Sequence, residues 1–188
     1  MLFRSYDLEV MELIGLAAGL RREGRLLSGA RIEAPPRFFI GVADVPLSPQ
    51  YRFERLEQKA DAGADFVQTQ IVYDVDAFGE WAESVRPGGL FERVFVLAGV
   101  AAPRGAASAR YMREHLPGVV VPDAVIEALD AAGPDGETAE GVRLTVEIVR
   151  RLREVEGIAG VHVMGLGKED PVRRVVADSG LFPRPAAI

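Results

Sequence analysis

The sequence predicts an α/β protein whose strands are parallel. Four short runs rich in β-branched and aromatic residues alternate with helical segments that carry an apolar face. A helix between successive strands is the connection that parallel pairing requires. The 188 residues, 48% of them hydrophobic and 27% charged, suit one globular domain, 1–188, with a sizeable core. Four strands could form a small open sheet or half of a closed barrel, and the strand count alone does not decide.

The helices are predicted from apolar residues spaced three or four apart and from signals at their ends. Gly63 follows one helix and offers the positive φ that helix C-termini favour, and the Gly-Pro-Asp-Gly run at 133–136 predicts a turn between two helices. In chain order, the predicted helices are 7–22, 50–62, 74–85, 106–116, 122–132, 138–154 and 170–178. Phe78, Trp81 and Val85 share one helix face and are predicted to lie in the core.

The strands are predicted from short apolar runs between turn residues. In chain order they are 37–43, 66–72, 94–99 and 158–166. The second strand carries Gln68, Thr69 and Gln70 in succession, and buried polar side chains need a hydrogen-bond partner or a ligand. Because ligands of α/β proteins bind at the carboxyl ends of the strands, Gln70 is predicted to contact a ligand.

The composition argues against several classes of function. The chain has no cysteine, which excludes disulfides and thiolate metal sites and favours a cytoplasmic location. A net charge of −6 without a basic run argues against a nucleic-acid partner. The two histidines lie far apart in the sequence, so a metal site is not expected. No long apolar run or signal-peptide pattern occurs, so no membrane partner is expected either.

Familiar nucleotide-binding and hydrolase motifs are absent from the sequence. Neither G-x-G-x-x-G nor G-x-x-x-x-G-K-[ST] occurs at a strand-to-helix turn, and 165–168 contains only a glycine-rich fragment of such a loop. The nucleophile elbow G-x-S-x-G is missing as well. These absences disfavour an α/β barrel enzyme that acts on a phosphorylated substrate.

Four sequence blocks occur in an order that is typical of one enzyme family. They are IGVA at 40–43 with Pro46, K-x-DAGADF at 59–66 leading to TQ at 69–70, LAGV at 97–100, and GVH at 160–162. On these blocks, of which the second is the most specific, the chain resembles the methylenetetrahydrofolate reductases over nearly its full length. Members of this family are flavin-dependent (β/α)8 barrel enzymes of one-carbon metabolism. The resemblance implies an α/β fold that forms the second, C-terminal half of a (β/α)8 TIM barrel.

The resemblance also implies roles for four residues. Gln70 matches the family glutamine at the folate pterin, where an amide can both donate and accept hydrogen bonds. Lys59 matches a lysine that contacts FAD. Lys168 lies where the family places an arginine on the substrate, and His162 matches a strand histidine that we assign to the substrate side.

The chain departs from the family pattern at four further positions. Val45 replaces a tyrosine, Ala102 a proline, and Gly165 and Gly167 a threonine and an asparagine, so the flavin and substrate contacts there are expected to differ from those of the family. Each assigned residue also has a purely structural interpretation. Gln70 could be a satisfied interior glutamine, and Lys59 a helix-end cation.

The activity implied by the resemblance is that of an oxidoreductase of methionine biosynthesis. FAD would pass hydride from NAD(P)H to 5,10-methylenetetrahydrofolate, which gives 5-methyltetrahydrofolate, and the proton donor would lie outside this chain.

Four strands cannot close an eight-stranded barrel, so we expect an oligomer or a partner chain that supplies the N-terminal half. The interpretations are a fragment of a longer gene product, which we favour, a half-barrel that pairs with a second chain or with itself, and a degenerate chain without activity. The alternative function is therefore a non-catalytic half-barrel subunit that completes or stabilises a partner.

Overall fold

A computed structural model describes residues 8–165, 167 and 169–181 of the chain. After an initial helix, each strand is followed by one or two helices. In chain order, the elements are α1 (Val10–Glu23), β1 (Gly41–Asp44), α2 (Phe53–Ala62), β2 (Phe66–Ile71), α3 (Val75–Val85), a 3₁₀ helix (Arg86–Gly88), β3 (Phe95–Val100), α4 (Ala106–His115), α5 (Asp123–Leu152), β4 (Ile158–Val163) and α6 (Glu169–Asp178). This order confirms the predicted alternation.

The four strands form one parallel sheet in the order β1-β2-β3-β4. Because neighbours in the sheet are also neighbours in sequence, each crossover spans a single step. Four consecutive parallel strands with helices packed on one face are the arrangement of half of a (β/α)8 barrel. The predicted fold class is therefore confirmed.

One face of the sheet is buried under the helices. On β2, Val67, Thr69 and Ile71 are buried, and they alternate with less buried residues as the two-residue period of a strand requires. Phe78 and Trp81 of α3 pack into the same core with exposures of 0% and 6%, which confirms the predicted core face of that helix.

The opposite face of the sheet is less covered, and we call it the open face. Its residues include Ala43 on β1, Gln68 and Gln70 on β2, Leu97 on β3 and His162 on β4. The register joins Ala43, Gln68 and Leu97 into one row, since in-register neighbours point to the same side of a parallel sheet.

Aromatic side chains lie at the amino end of the open face. Phe39 stacks on Phe66 with ring centroids 5.4 Å apart, and Phe95 lies 6.0 Å from Phe39. Phe39 and Phe95 keep 61% and 59% of their surface exposed. Exposed apolar patches of this kind occur at protein–protein interfaces and in ligand-binding grooves.

The first predicted strand is wrong over its first half. The segment 37–43 was expected to be a buried strand, but β1 begins at Gly41, and Phe38 is 43% exposed. Strand pairing with β2 begins only at the Gly41–Phe66 register. At the preceding residue, the Ile40 N–H donates a hydrogen bond to the Asp65 carboxylate at 2.7 Å. Apolar character alone could not show where an edge strand finds its partner.

The break predicted at 133–136 is confined to one residue, Gly133. Gly133 leaves the helical region with φ 66° and ψ 169°, so α5 consists of two helical segments, 123–132 and 134–152, that meet at a kink, as the prediction of two helices requires. Pro134 tolerates this position because the first residue of a helical segment needs no N–H donor. At β4, the strand ends at Val163 rather than at 166, and Leu166 lies outside the described residues.

Candidate functional site

The carboxyl ends of the four strands meet along one edge of the sheet. This edge carries Asp44 at the end of β1, Gln70 near the end of β2, and His162 near the end of β4. In α/β proteins, ligands bind outside this edge. A ligand of this protein is therefore expected at this edge.

Gln70 stands beside an irregularity in β2. Between Gln68 and Ile71 the strand advances three residues, while the paired segment of β3 advances only two, from Leu97 to Gly99. An extra residue of this kind is a β-bulge, which re-aims side chains and is common next to active sites.

Thr69 closes the gap that the bulge opens. Its hydroxyl accepts a hydrogen bond from the Gly99 N–H at 2.9 Å and donates one to the Gln70 carbonyl, also at 2.9 Å. A side chain at Gly99 would collide with the Thr69 carbonyl oxygen at 2.4 Å. Thr69 is therefore satisfied inside the sheet, and of the three polar residues it needs no ligand.

The Gln70 amide has a partner on each side. Its Oε1 accepts a hydrogen bond from the Ile71 N–H at 3.0 Å, and its Nε2 donates to the Pro117 carbonyl at 3.4 Å. Pro117 belongs to the loop between α4 and α5, which here folds back over the carboxyl edge. These contacts use one N–H and one lone pair, while an amide offers two of each. The remaining capacity suits a polar heterocycle at the open face.

Lys59 lies apart from Gln70. Its ammonium donates to the Ala43 carbonyl at 2.7 Å and sits 3.3 Å from Oδ1 of Asp44. Asp44 is in register with Thr69, whose side chain is buried on the helix side of the sheet. Lys59 therefore binds at the back of β1, between the strand and α2. It is not an exposed helix-end cation, because only 14% of its side chain is accessible.

A polar cluster surrounds Asp44, and sequence reasoning missed it. Asp44 Oδ2, the Tyr51 hydroxyl and the Trp81 indole N–H are all buried and make no hydrogen bond to any described residue. Burial raises the pKa of the Tyr51 phenol; the Trp81 side chain opposes this shift, and the Asp44 charge adds to it. The Tyr51 and Trp81 rings meet edge to face at 6.2 Å. No local motif signals the cluster, since its members come from β1, from the loop before α2 and from α3.

His162 and Gln70 share the open face. His162 is in register with Gly99, which lies opposite the bulge beside Gln70, and its side chain is half-buried. The glycine between them carries no side chain that would separate the two. Lys168, the fourth predicted site residue, lies outside the described residues. The structure thus brings Gln70 and His162 onto one surface and leaves Lys59 behind the sheet.

A cleft at the ends of β3 and β4 contains two of the positions that depart from the family pattern. It is lined by Ala102, Gly165 and Arg104, among others. Among the described residues, no group of three histidine or acidic side chains could hold a metal ion, and no helix has the length and apolarity to cross a membrane.

Gln70 and Lys59 differ in what they offer a ligand. The open face offers the amide of Gln70 beside apolar surface, which suits a planar heterocycle. Lys59 was expected to hold FAD, and its ammonium is paired with the Asp44 carboxylate in this structure. In this arrangement Lys59 does not present a free cation to a diphosphate.

Comparison with known proteins shows the relationship directly. The profile of the family described as methylenetetrahydrofolate reductase matches residues 25–180. Methylenetetrahydrofolate reductase 1 of Schizosaccharomyces pombe is 31% identical over 173 residues, which cover 88% of this chain and 28% of that protein. Methylenetetrahydrofolate reductase 2 of Saccharomyces cerevisiae is 28% identical over 156 residues, or 78% of this chain and 26% of that protein. The chain thus spans less than a third of the length of these relatives.

A solved structure has a similar fold. It is an uncharacterized protein from Clostridium thermocellum described as binding two copies of 5-methyl-5,6,7,8-tetrahydrofolic acid. The TM-score is 0.52 at 16% identity, over 87% of this chain and 67% of that chain. At this identity the likeness concerns the fold alone. With the profile match over most of its length, the chain belongs to the methylenetetrahydrofolate reductase family.

Proposed function

We propose that the chain forms part of an oxidoreductase that reduces 5,10-methylenetetrahydrofolate to 5-methyltetrahydrofolate, with NAD(P)H as donor and FAD as carrier. The observation that carries this proposal is the family match over residues 25–180, which includes Gln70 at the carboxyl edge of the open face. The reaction would place the protein in methionine biosynthesis. The lack of cysteine supports a cytoplasmic location.

In this proposal Gln70 orients the folate. A glutamine amide can donate to and accept from the edge of a pterin, and the bulge at Thr69 fixes the backbone from which it projects. Its bond to the Pro117 carbonyl, at 3.4 Å, is long enough to be exchanged for a ligand contact. Gln70 would then bind substrate while the Thr69 hydroxyl keeps the strand in place.

His162 would line the same surface on the other side of Gly99. Lys168 is proposed to meet the substrate as a single point charge where the family uses the bidentate fork of an arginine. FAD, when bound, would supply the hydride transfer that links the nicotinamide to the folate. The chain's own contribution is to bind and orient the pterin, and the proton donor would come from outside it.

A second candidate function is a half-barrel subunit that completes a partner. The observation that favours it is the open face, on which Phe39 and Phe95 stay more than half exposed. A βα segment with four further parallel strands would cover these rings and pair with the edges of β1 and β4. Both candidates require such a partner, and they differ only in whether Gln70 meets a substrate.

Co-expression with the N-terminal half of a family member tests the proposal. We expect a yellow complex after gel filtration, and we expect it to bind 5-methyltetrahydrofolate as measured by calorimetry. The chain alone should hold little or no flavin. A colourless complex that also fails to bind the folate would reject the enzyme and leave the non-catalytic subunit.

A further inference from the structure

The chain uses lysine very sparingly. Of its 22 basic residues, 20 are arginine, and the two lysines are Lys59 and Lys168. Arginine and lysine differ in shape, because a guanidinium is a wide planar fork and an ammonium is a compact point charge. A lysine that stands among so many arginines calls for a local reason.

The surroundings of Lys59 supply that reason. Its ammonium fits between the Ala43 carbonyl at 2.7 Å and Asp44 Oδ1 at 3.3 Å, and the two paired side chains are only 14% and 9% exposed. The space between β1 and α2 admits a compact cation. A guanidinium would have to place five N–H donors there, of which this site can satisfy few.

Asp44 in turn depends on Lys59 for its charge balance. Its second oxygen, Oδ2, is buried without a hydrogen bond to a described residue, close to Tyr51, whose ring meets that of Trp81 edge to face. A carboxylate in such surroundings is costly unless a cation lies close to it. Lys59 is the basic side chain that pairs with Asp44 among the described residues.

We propose that Asp44 is a positioning residue for Lys59. The Asp44 carboxylate holds the Lys59 ammonium against the back of β1 and prevents it from binding an anionic ligand group. A diphosphate that approached Lys59 would have to displace the Asp44 carboxylate first. Loss of the Asp44 charge therefore releases Lys59. The relevance to flavin rests on the proposed function, but the pairing itself does not.

Amine acylation measures the release of Lys59. The protein, in whatever assembly it purifies, is treated with an acetylating reagent, and the modification of the Lys59 peptide is followed by mass spectrometry. Asp44→Asn should raise the acylation rate of Lys59 by about tenfold or more, as expected for loss of a charged hydrogen-bonded partner. Asp61→Asn is the matched control, because it removes the same charge from α2 but from an exposed pair with Arg93. Equal rates in Asp44→Asn and the wild type, or equal acceleration in both variants, would overturn the proposal.

Pyrophosphate binding provides a second readout, which a merely structural role for Asp44 would not change. Calorimetry should show about tenfold tighter pyrophosphate binding by Asp44→Asn than by the wild type, and this gain should vanish when Lys59→Met is added. A gain that survives without Lys59 would place the anion elsewhere and reject the proposal. These readouts need no flavin or folate, so their failure is distinct from failure of the proposed function.

The wild type alone also tests the pairing, should Asp44→Asn not fold. With only two lysines, ¹⁵N-lysine labelling gives two side-chain ammonium signals. The Lys59 signal, identified by its loss in Lys59→Arg, should exchange its protons with water slowly. Rapid exchange at Lys59 would contradict a held ammonium.

Discussion

Exchange of Lys59 for methionine should destabilise the protein markedly. Methionine keeps most of the side-chain length but removes the charge, and it leaves the Asp44 carboxylate in a buried site at 9% exposure. Breaking a buried ion pair by removing one partner costs about 3–5 kcal/mol. Because Lys59 keeps 14% exposure, we expect a loss near the lower end of that range, about 3 kcal/mol.

The double variant Lys59→Met, Asp44→Asn should recover most of that loss. With both charges removed, no unpaired carboxylate remains, and the coupling energy of the cycle should be about 1.5–3 kcal/mol. Urea unfolding followed by the fluorescence of Trp81, the single tryptophan, reports on the cluster itself. The single variant should unfold at a clearly lower urea concentration than either the wild type or the double variant.

A cycle without coupling would contradict a stabilising pair between Asp44 and Lys59. A loss below about 0.5 kcal/mol in Lys59→Met would mean that the pair behaves like an exposed one. A double variant as unstable as the single one would show that Lys59 acts through its hydrogen bond to the Ala43 carbonyl rather than through Asp44.

Two further predictions concern assembly and pH. Sedimentation of the purified chain should show association rather than a compact monomer, because Phe39 and Phe95 expose apolar surface beside unpaired strand edges, and Phe95→Ser should weaken that association while Tyr111→Ser, at a similar 59% exposure on α4, should not. Burial raises the pKa values of Tyr51 and Tyr73 above the ordinary value of about 10. The stability that the two neutral phenols contribute should therefore be fully present below a pH of about 10 and be lost as the pH rises further. An ultraviolet titration in which both phenols ionise normally in the folded protein would contradict this.

The sequence predicted best where a pattern repeats along one element. The face of α3 with Phe78 and Trp81 follows from helical spacing alone, and the parallel order follows from the alternation of strands and helices. The start of β1 could not be predicted, since it depends on where Gly41 meets Phe66 across the sheet.

Polar residues were harder to interpret because their partners lie far away in the chain. The run at 68–70 predicted polar side chains that need a partner or a ligand, and the partner of Thr69 is the Gly99 N–H, 30 residues further on. The pair of Asp44 and Lys59 joins a strand to the last turn of a helix, and no spacing rule predicts it. The proposed roles of Gln70, His162 and Lys168 still depend on resemblance and remain predictions.

The two half-reactions of a reconstituted complex show whether Gln70 contacts the folate. In stopped-flow experiments, Gln70→Ala should slow folate reduction by about tenfold to a hundredfold, since pterin groups left unpaired in a dry site cost about 1–3 kcal/mol. Flavin reduction by the nicotinamide should change little, because that ligand has no pterin edge. Gln58→Ala, on the exposed face of α2, is the matched control and should leave both rates unchanged. Equal losses in both half-reactions, or none in either, would contradict a pterin contact at Gln70.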